Sequence, residues 1–261
     1  MMKQLIVSGC GGRLGTAIVR RIAEREDCAV AAGVDVRASD LAGEKYPVFA
    51  APADAAGVEA DAVIDCSHHT AVVPLLDFCI ARRLPAVIAT TGHTEAEIEA
   101  IRAAGRVIPV LYSRNMSLGV NLLVELVRRA AAALGEDFDC EIIEQHHRHK
   151  LDAPSGTALM LADAVKSVRE ESEYVYDRHS VRRERGREEI GIHSVRGGTI
   201  VGEHEVIFAG TDEVIRLSHS AASRDVFAAG AIRAALFVAD AQPGLYAMSD
   251  VVAAANRKKD E

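Results

Sequence analysis

A short apolar run, Gln4 to Ser8, breaks directly into the glycines of SGCGGRLG, and a helix-spaced segment follows at once. From Leu14 to Glu26, Leu14, Ile18 and Ile22 recur on one face while arginines occupy another. Gly9, Gly12 and Gly15, with an additional Gly11, therefore lie in a strand-to-helix turn. That setting is what gives the glycines meaning. Glycines allow a tight turn and a close backbone approach to a pyrophosphate, whose oxygens the unpaired N–H groups of the helix start can meet. Arg13 can add a charge. Asp35, twenty positions after Gly15, ends the next apolar run, Ala29 to Val34. A carboxylate there accepts hydrogen bonds from ribose hydroxyls and repels a 2′-phosphate, whereas Arg37 would attract one. The pair leaves NADH and NADPH both open, with a lean toward NADH or dual use.

The rhythm of the first half continues in the same way. Ala62 to Cys66, Ala86 to Ala89 and Val107 to Leu111 read as strands; Ala71 to Arg83 and Glu95 to Ala104 read as helices. Strand and helix in alternation predict a parallel sheet covered on both faces. Ligands in such sheets bind beyond the strand C-termini. That places Ala89-Thr90-Thr91 and Ser113-Arg114-Asn115-Met116 beside a nicotinamide. The second half differs. A helix is predicted over Ser117 to Leu134, a strand over Cys140 to Glu144 and a helix over Thr157 to Val168. Extended segments follow at Glu189 to Val195, Thr199 to Phe208 and Glu213 to Ser220, the last two alternating in polarity. A last amphipathic helix spans Arg224 to Ala239. The run RHSVRRERGREE, Arg178 to Glu189, is expected to be a solvated loop.

Composition closes off other classes. The 261 residues are 49% hydrophobic, enough for a packed core, and 30 Lys plus Arg face 38 Asp plus Glu. A net charge of −8 argues against nucleic acid as partner. No apolar stretch reaches transmembrane length without a charge or a break, and the N-terminus reads as a strand rather than a leader. Five cysteines without a CxxC pair fit a reducing cytoplasm.

Against that acidic background, EQHHRHKLDAPSGTA gathers His146, His147, Arg148, His149 and Lys150 in succession. Asp152 or Ser155 can cap a following helix, and Pro154 suits its first turn. Gly156 and Thr157 then offer backbone N–H groups and a hydroxyl at the positive helix end. The pattern suits a substrate with carboxylates, and His and Lys can move protons. Metal ligation by the three histidines is the weaker reading, because adjacent strand residues point to opposite faces and no acidic ligand is obviously paired. No metal is expected.

These residues resemble a known family. EQHHRHKLDAPSGTA is similar to the signature of the 4-hydroxy-tetrahydrodipicolinate (dihydrodipicolinate) reductases. GCGGRLG, DAVIDCSHHTAV, IATTGHTEAEI, SRNMSLGVNLL, EIGIHSVRGGTIVGEHEVIFAG, FAAGAIRAALFV and GLYAMSDVV resemble its other blocks, in order. The resemblance implies an α/β chain: an N-terminal Rossmann dinucleotide-binding domain at 1–117, an α+β substrate-binding and tetramerisation domain with a mixed sheet at 118–226, and a return to the first domain at 227–261. It implies a cytoplasmic homotetramer that reduces a small dicarboxylate in lysine (diaminopimelate) biosynthesis with NADH and/or NADPH. Carried over, His146 and Lys150 are the proton donors, and His147, Gly156 and Thr157 meet substrate carboxylates. Gly9, Cys10, Gly11, Gly12, Arg13, Leu14, Asp35, Ala89, Thr90, Thr91, Ser113, Arg114, Asn115 and Met116 hold the cofactor. His149 receives no role. The chain departs from the family with Ala89 in place of a Gly, Met116 in place of a Phe, and IDCS in place of IDFT. Val36 stands where some members carry an arginine for NADPH. An aspartate-dehydrogenase-like enzyme and a silent dinucleotide-binding regulator are the alternatives.

Overall fold

The computed structural model describes residues 1–257 and divides into two compact units, 1–118 with 225–261 and 119–224. The last four residues of the expected 227–261 segment lie outside the described residues. The first unit begins with β1 (Lys3–Ser8), α1 (Arg13–Ala23), β2 (Cys28–Val34), β3 (Val48–Phe49), β4 (Ala62–Asp65), α2 (Val72–Arg82), β5 (Ala86–Ile88), α3 (Glu95–Ala104) and β6 (Pro109–Tyr112). The second holds nearly all of α4 (Leu118–Leu134), then β7 (Asp139–His146), α5 (Gly156–Lys166), β8 (Glu173–Val175), β9 (Glu189–Arg196), β10 (Glu203–Ala209) and β11 (Val214–Ser220). The chain returns to the first unit with α6 (Asp225–Val238), β12 (Gly244–Tyr246) and α7 (Met248–Arg257).

The first sheet is parallel, in the order β3-β2-β1-β4-β5-β6-β12. Its first six strands follow the order of a doubly wound dinucleotide-binding fold, which reverses direction between β1 and β4. Alternate residues of β1 serve opposite faces. Leu5 and Val7 join Ile18, Ile22, Ile232 and Ala235 in one core. Ile6 joins Val63, Leu75, Leu76 and Ile101 in the other. Burial on both faces is why these strands read as continuous apolar runs.

The second sheet is mixed, in the order β11-β10-β7-β9-β8. β7 pairs antiparallel with β10 and parallel with β9. One face packs Cys140, Ile142, Ile190, Ile192, Val206 and Phe208 against Val127 of α4 and Leu161 and Val165 of α5. The opposite face carries the exposed Val195 and Val214 with the half-buried Ile143 and Ile207.

Several expectations need correction. β10 starts at Glu203 rather than Thr199, because Gly197 and Gly198 turn the chain, Gly198 at a φ of +49°. Pro154 precedes α5 instead of entering it, since Ser155 is the cap and accepts the Ala158 N–H at 3.1 Å. Asp152 is not the cap; it pairs with Lys150 at 2.9 Å. The charged run is not simply a solvated loop. Arg185 folds back onto Asp139 and Glu141 at 2.8 and 2.9 Å, and Arg178 and Arg183 pair with Glu189, which is buried where β9 begins. Their charges neutralise carboxylates on β7 and at the start of β9 that would otherwise repel one another.

Candidate active site

The glycine turn after β1 is built by subtraction. Gly9 has a φ of +79°, and a Cβ there would lie 2.7 Å from the Cys66 carbonyl oxygen. A Cβ on Gly15 would overlap the Gly9 carbonyl oxygen. These two positions let α1 start directly against the strand ends. No side chain caps α1 at Gly12, so its leading N–H groups remain available. Cys10 is buried beneath the turn, Leu14 is half-buried, and Arg13 reaches solvent.

Asp35 closes the turn. Its buried carboxylate accepts the Gly11 N–H at 3.0 Å and the Arg37 N–H at 2.9 Å. Arg37 donates in turn to the Gly11 carbonyl at 2.8 Å. The acidic and basic groups thus share one small frame around the glycine turn.

The two later strand ends are more committed than their sequence implied. Thr90 donates its hydroxyl to buried Asp65 at 2.7 Å, and Ser67 donates to the same carboxylate at 2.6 Å. Ala89 is half-buried and Thr91 exposed. Ser113 bonds to the Asn115 carbonyl at 2.9 Å, Arg114 is exposed, and Met116 is buried. Gly230 of α6 lies so close above the Met116 carbonyl that a Cβ would overlap it.

The second centre is built by addition. Along β7 the core face runs Cys140, Ile142, Glu144, His146, so a face that begins as apolar core ends as chemistry. Glu144 is wholly buried. Arg196 meets it with two N–H groups at 2.7 and 2.8 Å, His146 Nδ1 lies 2.6 Å away, and the Ser155 N–H donates at 3.1 Å. Burial pushes the Glu144 carboxyl upward, but the Arg196 and His146 bonds outweigh it and bring it down to about 2. His204 packs edge-on to His146, with ring centres 5.2 Å apart and its Nε2 2.9 Å from Ser155 Oγ.

His147 follows the last residue of β7. Arg224 donates to its Nε2 at 3.1 Å. Burial first, and Arg224 second, push its pKa down and favour the neutral ring. Its Nδ1 is shielded and has no partner in the described residues. Gly156 and Thr157 begin α5 beside this group. His149 stays at the surface, its ring 6.3 Å from that of His147.

Sequence reasoning missed Glu144, Arg196, His204 and Arg224. Glu144 had a signal, since residues two apart on a strand share a face. Arg196 and His204 reach the site through strand pairing, which no local pattern announces. Among the described residues, no group of three or more His, Cys, Asp or Glu is placed to hold a metal ion, and no helix is long and apolar enough to cross a membrane.

A glycine turn against a parallel sheet, in a chain that also carries a buried carboxylate–histidine pair, defines a nicotinamide-dependent oxidoreductase. Comparison with known proteins narrows the class. Family models described as dihydrodipicolinate reductase, N-terminus and C-terminus, match residues 3–116 and 119–252. The 4-hydroxy-tetrahydrodipicolinate reductase of Caldanaerobacter subterraneus subsp. tengcongensis is 49% identical over 97% of this chain and 99% of its own. That of Clostridium novyi is 41% identical over 98% and 100%. The dipicolinate-bound dihydrodipicolinate reductase of Paenisporosarcina sp. TG-14 superposes with a TM-score of 0.80 at 25% identity, covering 95% of this chain and 98% of the other. The chain belongs to the dihydrodipicolinate reductase family, NAD(P)H-dependent enzymes of lysine biosynthesis.

Proposed function

We propose that this chain converts 4-hydroxy-tetrahydrodipicolinate to tetrahydrodipicolinate, taking up one hydride and one proton while the hydroxyl leaves as water. The observation that carries the assignment of roles is the Glu144–His146 pair adjoining the start of α5. NAD(P)H supplies the hydride when bound. The turn at Gly9 to Leu14 and the Asp35 carboxylate fit its pyrophosphate and ribose, because the helix start is uncapped and the missing side chains leave room. Ala89, Thr90, Thr91, Ser113, Arg114, Asn115 and Met116 line the nicotinamide end; Thr90 and Ser113 do so by backbone, since their hydroxyls are engaged.

His146 gives and takes the proton, and Lys150 is the second donor. The Gly156 and Thr157 N–H groups meet one substrate carboxylate. His147, its Nε2 engaged by Arg224, also meets a substrate carboxylate. Residues 1–117 and 227–261 serve the cofactor, and 118–226 serve the substrate and assembly. The apolar side chains on the uncovered face of the mixed sheet support a homotetramer formed through that face. The assembly works in the cytoplasm with neither nucleic acid nor membrane as partner. Mass measurement in solution tests the tetramer, and a monomer would remove it.

The decisive assay supplies NADH or NADPH, side by side, with the condensation product of pyruvate and aspartate semialdehyde. Oxidation of both is expected, NADH at least as fast. Absence of oxidation above background defeats the proposal. An amino-acid dehydrogenase would oxidise an amino acid instead, and a silent regulator would bind dinucleotide without turnover.

A further inference from the structure

A carboxylate offers about four lone-pair positions. Glu144 has them filled: two N–H groups of Arg196, His146 Nδ1, the Ser155 backbone N–H and the Ser194 hydroxyl all bond to it. These donors come from three parts of the chain. Arg196 ends β9, His146 ends β7, and Ser155 caps α5. A carboxylate buried without such partners would take up a proton instead of staying charged.

We propose that Glu144 is the positioning residue of the reaction: it holds the His146 proton on Nδ1, leaves Nε2 as the atom that gives and receives the reacting proton, and ties that ring to the first turn of α5. This rests on His146 as proton donor. The neighbours of the ring fit the assignment. A Cβ on Gly202 would lie 3.1 Å from His146 Nε2, so the missing side chain keeps the approach to that nitrogen open. His204 flanks the ring from β10 and does not compete for Glu144. Burial first, and His146 second, push its pKa down to about 4, so it is neutral near pH 7. Arg196 faces the pair from β9 and donates as well to the Asp152 carbonyl at 2.6 Å, which fixes the guanidinium in place. Ser155 is held twice, by Glu144 through its N–H and by His204 at its hydroxyl, so a displaced Glu144 would disturb ring and helix start together.

Nitrogen-15 spectra of the histidines of the wild-type protein read the tautomer directly. The neutral His146 ring is expected to carry its proton on Nδ1; a proton on Nε2 overturns the proposal. Kinetics read the coupling. Glu144→Gln is expected to lower kcat by about a hundred- to ten-thousandfold, as loss of a tautomer-setting carboxylate does elsewhere, while leaving the KM for NADH unchanged. In a His146→Gln background the same substitution should cost nothing further, because residues acting as one unit do not add. A Glu144→Gln variant within twofold of wild type, or losses that multiply in the double variant, defeats the positioning role. If His146→Gln itself keeps full turnover, the reading beneath fails and this one falls with it. Glu144→Gln/Arg196→Gln leaves no unpaired buried charge and carries the same expectation should the single variant not fold.

Discussion

The turn at Gly9 to Gly15 and the segment from Glu144 to Thr157, both proposed to receive an anion, are built by opposite means. The first omits side chains until the backbone itself can approach the ligand. The second gathers five ionic or polar side chains, Glu144, His146, Ser155, Arg196 and His204, and bonds them to one another. Their tolerance differs accordingly. A backbone-built site is spoiled by adding atoms, a side-chain-built site by removing them.

Four substitutions or conditions sharpen that contrast. The largest effect is expected from Lys150→Ala. Loss of a general acid should lower kcat by about a hundred- to ten-thousandfold, while NADH binding, measured by calorimetry, stays unchanged. Full turnover would leave Lys150 without a catalytic role. Next is Gly15→Ala. A methyl group overlapping the Gly9 carbonyl should weaken NADH binding by on the order of tenfold or more and lower the melting temperature. Unchanged affinity would show that the turn can yield.

Acid probes the side-chain-built centre. Glu144 titrates near 2 in the folded chain, below the ~4.3 of an unpaired glutamate. Its stabilisation is therefore fully present above about pH 5 and lost as pH falls through about 2. Melting temperatures between pH 6 and 3 should fall more steeply in wild type than in Glu144→Gln; equal slopes would remove Glu144 from the acid response. The smallest effect belongs to Gly202→Ala. A Cβ at 3.1 Å from Nε2 requires a shift of a few tenths of an ångström, so kcat should drop by about twofold to tenfold with the fold intact. An unchanged kcat would mean that the approach to Nε2 lies on another side.

The two centres also differ in how far the chain announces them. The glycine turn lies within one strand–turn–helix, and its spacing carries the whole argument. The same locality makes α3 readable to the residue, since Thr94 and Glu97 cap its start reciprocally. In the histidine segment the helix start was legible, its cap as a choice between Asp152 and Ser155, all within a dozen residues. The segment's partners are distant: Arg196 is 52 positions from Glu144 and His204 is 49 from Ser155. Only the pairing of β7 with β9 and β10 brings them in, and pairing depends on the packing of whole faces. Arg185 eluded the sequence for a related reason. A long side chain in a charged run can turn inward to a carboxylate on another strand, and nothing in RHSVRRERGREE marks which arginine does so. β12 was missed because Gly244 to Tyr246 is too short a run to show a period.

The parallel pairing of β7 with β9 sets His146 opposite Arg196 and Glu144 opposite Ser194. A slip by a single residue would bring Val195 to the inner face and turn Arg196 outward. It would also carry Gly191 and His193 inward in place of Ile190 and Ile192, and leave Glu144 charged in the interior with its strongest partner facing water. The register that packs the apolar half of the strand is thus the same register that pairs the buried carboxylate, so one alignment of β7 and β9 satisfies both.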